Sequence, residues 1–145
     1  MNHKQYIRRL SKTSNGSVAI EFAVMLPILV AIIFGIIDFG DMLYIKHIIT
    51  NASREGARYG VTYRVDSNNN RIPPSNQTTE ITNVINNYLT NRLQSGTWNI
   101  PTPNYDSGTK RLTVSVNANK TWIGPLGLVL TNPFPLSAST VMIAE

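Results

Sequence analysis

Glu21 is the only ionisable residue between Gly16 and Asp38, in a stretch that reads GSVAIEFAVMLPILVAIIFGII. A charged side chain held deep in a bilayer costs about 2.5–3.5 kcal/mol on insertion scales, so a carboxylate kept there calls for an opposite charge or a task. Elsewhere, residues able to do chemistry are sparse. The chain has no Cys, which excludes disulfides and thiolate metal sites and leaves oxidising compartments permitted. Its two histidines, His3 and His47, fall in segments that do not bring them together, so a His-based triad or a zinc enzyme lacks its residues. No nucleophile, base and orienting group form a constellation, and the expectation is a non-enzyme without a cofactor or a small-molecule substrate.

Two further clusters suggest chemistry and are outweighed. Asp66, Asp106 and the Asn run 68–70 lack the regular ligand spacing and bidentate Glu of a calcium loop, so the reading is a solvated loop. Trp98, Tyr105 and Trp122 can be read as a ligand platform, but in a small α+β module aromatics are more often core or rim residues.

The elements that position Glu21 begin with a basic leader. Residues 1–16 hold Lys4, Arg8, Arg9 and Lys12 with no acid, leaving 9 basic against 8 acidic residues beyond them. The formal charge of +5 therefore belongs mostly to the leader, and no basic, aromatic-interleaved stripe outside it points to nucleic acid. Val18–Ile37 has about the 20 residues needed to span a bilayer as a helix, and the preceding basic residues predict a cytoplasmic N-terminus with an extracytoplasmic C-terminal module. A cleaved secretory signal would have a shorter apolar region and an A-x-A site. Here DFGDMLYIKH follows instead.

Helical patterning continues past the apolar run. Phe39, Met42, Leu43, Ile45, Ile48 and Ile49 recur at three and four spacings among Asp38, Asp41, Lys46 and His47, predicting one helix over 17–60 whose transmembrane part is 17–37. Pro27 removes a backbone hydrogen bond inside it, so a kink or local unwinding is expected at 24–27, either as a tolerated feature of a membrane helix or as a flexible joint. In TNASREGARYG, Ala52, Gly56 and Gly60 recur every four residues and let another backbone approach closely. Arg54 and Arg58 flank Glu55 on that stretch. It is either a subunit contact or the place where the helix packs on its own sheet.

Residues 61–145 read as a small module. Residues 62–78 are a polar, proline-containing loop. Ile81, Val84, Ile85, Tyr88, Leu89 and Leu93 predict an amphipathic helix over 79–94 lying on the sheet, ended by Gly96. Strands are expected at 97–100, over KRLTVSVNAN and over SASTVMIA, with YDSGTK as a hairpin turn whose Gly108 takes a positive φ. WIGPLGLVLTNPFPL is open to three readings: packing on the stalk helix, touching the membrane surface, or meeting another subunit.

The spacing Gly16, four residues, Glu21, Phe22, between a basic leader and an apolar helix, resembles a class III prepilin processing site. The stretch from Gly16 to about Val61 resembles the TadE-like family, minor pilins or pseudopilins of the Tad (Flp) pilus, with a looser likeness in LSASTVMIAE. The resemblance implies a pilin-like α+β fold: a long N-terminal helix, transmembrane then stalk, packed on a small antiparallel sheet with one further amphipathic helix. It implies that a prepilin peptidase cuts after Gly16, so that Ser17 becomes the new N-terminus and Glu21 the fifth residue, paired with the terminal amine of a neighbouring subunit. An opposite charge within about 4 Å would offset its desolvation and favour one register. The implied partners are the inner membrane, the peptidase, other pilins or pseudopilins and the Tad assembly platform. The implied role is pilus assembly or initiation, adherence and biofilm formation, at the inner membrane as precursor and at the pilus or cell surface afterwards. The competing expectation is a permanently anchored binding module or adhesin that needs neither cleavage nor Glu21 pairing.

Overall fold

The longest element is a single helix, α1 (His3–Val61), of 59 residues, about 88 Å at 1.5 Å per residue. The computed structural model describes the backbone of residues 3–93 and 96–144 and the side chains of residues 16–93, 96–125 and 127–144. The helix begins upstream of the expected Ser17, because the leader lacks proline and consists mostly of tolerant or good helix formers; the leader's basic side chains lie outside the described residues. It is continuous through Pro27, so the local unwinding expected at 24–27 does not occur. One proline deletes a single ladder bond, and the turns on either side keep theirs.

Val18, Ile20, Phe22, Met25 and the apolar residues on to Ile37 are exposed. This stretch lies in a helix long and apolar enough to cross a membrane. Burial starts at Asp38 and follows one face: Ile45, Ile48, Ile49, Ala52, Ser53, Gly56, Ala57 and Gly60. Phe39 and Leu43, expected in that stripe, are exposed instead, since the module covers only one side of the stalk.

A 3₁₀ turn (Pro74–Gln77) leads into α2 (Thr78–Thr90). Ile81, Ile85 and Leu89 are fully buried, and Leu93 follows them; the helix ends at Thr90, short of the expected Gln94, which itself lies outside the described residues. Gly96 has φ +125 and turns the chain into the sheet. Rather than lying flat on the sheet, α2 packs chiefly along α1, because glycines on α1 let it come close.

The antiparallel sheet is built on β3 (Arg111–Lys120), which pairs along its whole length with β4 (Phe134–Ile143). Its other side takes two short strands in succession, β1 (Thr97–Asn99) and β2 (Asn104–Asp106). β2 was not foreseen. Between them Pro101 and Pro103 offer no N–H to a ladder, and residues 100–103 stand opposite 114–116, one residue extra on the edge, as in a bulge. Leu112, Val114, Val116, Ala118 and Lys120 alternate inward and are buried. With the α1 and α2 stripes they form the core. In the β2–β3 turn the left-handed residue is Lys110 (φ 54), not the expected Gly108. Asp106 shapes that turn by accepting the Gly108 amide at 3.0 Å and the Thr109 hydroxyl at 2.6 Å, so no left-handed glycine is needed.

Candidate functional site

The N-terminal site is an open helix surface. A Cβ added at Gly16 would meet nothing within 4 Å, Ser17 is exposed, and Phe22 is exposed one position after Glu21. The Glu21 carboxylate accepts a hydrogen bond of 3.4 Å from Ser17 Oγ, one turn earlier. Among the described residues no cation lies within salt-bridge distance of it. A carboxylate on a bare apolar helix with only a hydroxyl at one oxygen is therefore available to an external positive charge, and the run that carries it is available to lipid or to other helices.

At the other end of that run the structure assembles a site that sequence reasoning missed. Asp38 is fully buried. Its carboxylate accepts the backbone N–H groups of Ile123 at 3.0 Å and Gly124 at 2.9 Å. Lys120 Nζ, also buried, lies 3.4 Å from Asp38 and 2.6 Å from Asp41, whose side chain is 41% exposed. The backbone comes this close because residue 124 has no side chain: a Cβ there would stand 2.6 Å from Phe34 Cβ and 3.2 Å from Asp38 Oδ2. The carboxylate is thus satisfied by two amides and an ammonium, as a buried charge requires, and it clasps the start of the β3–β4 connection to α1. One signal was legible: Lys120 sits on the inward-facing register of β3, and a core-facing lysine demands a counter-charge. Which carboxylate would supply it was not.

The small-residue stretch resolves toward internal packing. A Cβ at Gly56 would stand 2.6 Å from Ile85 side-chain atoms, and one at Gly60 would run into Leu112 and lie 2.6 Å from Ile81 Cδ1; Ala52 is fully buried. The glycines let α2 and β3 approach α1. Arg54 and Arg58 point away from this contact into solvent, where Arg58 pairs with Glu55 at 2.6 Å. Thus a deep, side-chain-free seam inside the module and a polar outer face share one helix segment.

Residues 16–58 match the TadE-like protein family. No curated protein and no solved structure matches the chain. The TadE-like segment runs from Gly16 to Arg58: it includes Glu21, the bare run, Asp38 and the glycine seam as far as Gly56, and stops before α2 and the sheet. It associates the chain with pilin-like proteins of the Tad pilus, a structural rather than enzymatic family, and the bare helix fits a membrane anchor in such a component.

The remaining candidates separate in space. Trp98 donates its indole N–H to Asn86 at 3.2 Å. Trp122 donates to the Thr131 carbonyl at 2.9 Å and packs on Phe134, and Tyr105 packs against the core, so they do not form one platform. The Asp66 carboxylate is taken up by the amides of Asn68 and Asn70, both at 2.8 Å, and holds a tight loop. These bonds, that from Asn70 first, keep the Asp66 carboxyl below the usual carboxylate range; the Thr109 hydroxyl and then the Gly108 amide do the same for Asp106.

Proposed function

We propose that this protein is a minor pilin or pseudopilin of a Tad pilus. It is made as a membrane precursor with its N-terminus in the cytoplasm, and a prepilin peptidase cuts it between Gly16 and Ser17. It is then drawn into a filament or its initiating complex, with roles in adherence and biofilm formation. The observation that carries this reading is Glu21: an exposed carboxylate, one turn from the proposed new terminus, on a helix segment that nothing in its own module covers. After cleavage each subunit would carry an ammonium at Ser17. Seating the carboxylate of one subunit against that ammonium on another offsets desolvation at one register and penalises others by an uncompensated charge. The matched TadE-like segment, the open surroundings of Gly16 and the single bare helix all agree with it.

The test is the N-terminal mass of the protein from native membranes and from sheared filaments. A chain starting at Ser17, replaced by full-length chain in Gly16→Ala, is the expected result. Glu21→Ala is expected to be cleaved yet poorly assembled. An intact Met1 terminus in the presence of active peptidase would instead leave a permanently anchored module.

A further inference from the structure

We propose that the loop between β3 and β4, over residues 123–130, is a second membrane-contacting element: it beds into the headgroup–acyl boundary of the bilayer at the distal end of the transmembrane run and fixes the module's height on the surface. The idea rests on α1 spanning a bilayer, and it requires neither cleavage at Gly16 nor filament assembly.

Depth is the first argument. Gly124 lies against Phe34, which is four residues, about 6 Å along the axis, inside the last uncharged turn before Asp38. The loop therefore stands beside the end of the apolar run and not above it. If that run is in lipid, neighbouring atoms at the same level are at the boundary.

Composition is the second. From Thr121 to Ala144 the chain has no ionisable side chain. Leu128 is 90% exposed, Val129 84% and Ile123 70%. Isolated exposed apolar residues need no explanation, but these three belong to the loop whose Gly124 packs on Phe34, within the exposed apolar run of α1.

The third argument is hydrogen bonding, because backbone entering a bilayer edge must find its partners within the protein. The amides of Ile123 and Gly124 are held by Asp38, the Gly127 amide donates to the Gly124 carbonyl at 3.3 Å, and the Trp122 indole donates to Thr131. The Asp38 clasp thereby does two things. It removes polar groups from the loop's surface and pins the loop at a defined depth, with Trp122 just behind it, a residue type suited to the membrane–water interface.

The absence of Cys makes the test direct. The full-length protein is reconstituted in phosphatidylethanolamine–phosphatidylglycerol nanodiscs, and single spin labels are placed through Leu128→Cys, Val129→Cys, Ile33→Cys and Ser139→Cys. Accessibility is then read with oxygen, which partitions into lipid, and with a water-soluble nickel chelate. Labels at 128 and 129 are expected to follow Ile33, with an oxygen-to-nickel ratio several-fold above that of Ser139 on the exposed sheet face. Ratios at 128 and 129 equal to that at 139, with Ile33 in lipid, would overturn the proposal while leaving the membrane anchor intact. Labels at 128 and 129 shielded from both reagents and close enough to broaden one another would overturn it in favour of contact with a second copy. An Ile33 label in water would remove the spanning helix, and the proposal with it.

Discussion

Replacing Lys120 by methionine is the perturbation most directly tied to the clasp. It preserves the length and much of the apolar stem while deleting the ammonium that sits between Asp38 and Asp41. Removing one partner of a buried ion pair costs about 3–5 kcal/mol. The bond to half-exposed Asp41 contributes at the surface scale of about 0–1 kcal/mol, and the two amides still hold Asp38, so the loss should fall near the lower bound, about 3 kcal/mol. For a domain of this size that lowers Tm by about 10 °C or more. The assay is thermal unfolding of the detergent-solubilised full chain followed by tryptophan fluorescence, in a Trp98→Phe background so that the signal is that of Trp122, two residues beyond the substitution. Asp38→Asn in the same background supplies the control. With the carboxylate neutralised, deletion of the ammonium should cost about 2 kcal/mol less than in wild type, because contacting charges couple by about 0.5–3 kcal/mol. An unchanged Tm in Lys120→Met, or strictly additive effects in the double variant, would refute the clasp.

Gly60→Val should destabilise the module by about 1–3 kcal/mol through overpacking against Leu112 and Ile81, read as a lower urea midpoint; an unchanged midpoint would mean the seam is loose. Arg58→Ala should shift stability by less than about 1 kcal/mol, because its pair with Glu55 is an exposed i,i+3 contact; a larger loss would show that the ion pair holds the helix end. Asp66 and Asp106 are held below the usual carboxylate range, so the stability they contribute is complete above their unfolded pKa of about 3.9 and lost as pH falls through their lower folded values. The Asn70 and Gly108 amide resonances should therefore hold their positions from pH 7 to about 4 and move only below it; movement already at pH 5–6 would contradict the hydrogen-bonding account.

The parts of the fold carried by periodicity were legible. Ile81, Ile85 and Leu89 at helical spacing are the buried face of α2, and Leu112, Val114 and Val116 at alternate positions are the buried face of β3. Both patterns report a contact made along a whole element, which leaves its mark in every turn or every second residue. The features that escaped depend on a single contact between distant segments. β2 is three residues long and exists because β3 offers it a partner beyond the Pro101–Pro103 interruption. Asp38 reads locally as the polar end of a membrane span; it becomes a buried anchor only when residues 123 and 124 arrive from about 85 positions away. Gly124 looks like one more loop glycine until Phe34 is placed beneath it. The small residues at 52, 56 and 60 illustrate the intermediate case: their spacing specified close approach but not the partner, and the partner is α2 and β3 of the same chain.

The module covers α1 from Asp38 onward on one face, touches Phe34 through Gly124 and leaves the run before Phe34 bare, and this division has an energetic consequence for the proposed passage from membrane to filament. The distal half of the helix is locked to the module by the glycine seam, by a hydrogen bond of 2.7 Å between the Ser53 and Thr140 hydroxyls, by the bond from Lys46 to the Ser137 carbonyl, and by the Asp38 clasp. Stalk and module therefore travel as one piece. The bare half would have to exchange lipid for other apolar helices, a trade with almost no hydrophobic driving force because lipid tails are as apolar as the side chains that would replace them. What distinguishes the two environments is Glu21: in lipid it is an expense of a few kcal/mol, whereas beside the ammonium of a neighbour it is compensated. In the proposed passage that one carboxylate would supply the bias toward assembly that an apolar helix cannot supply by itself, and the wholly apolar remainder of the run would keep the exchange reversible enough for subunits to move.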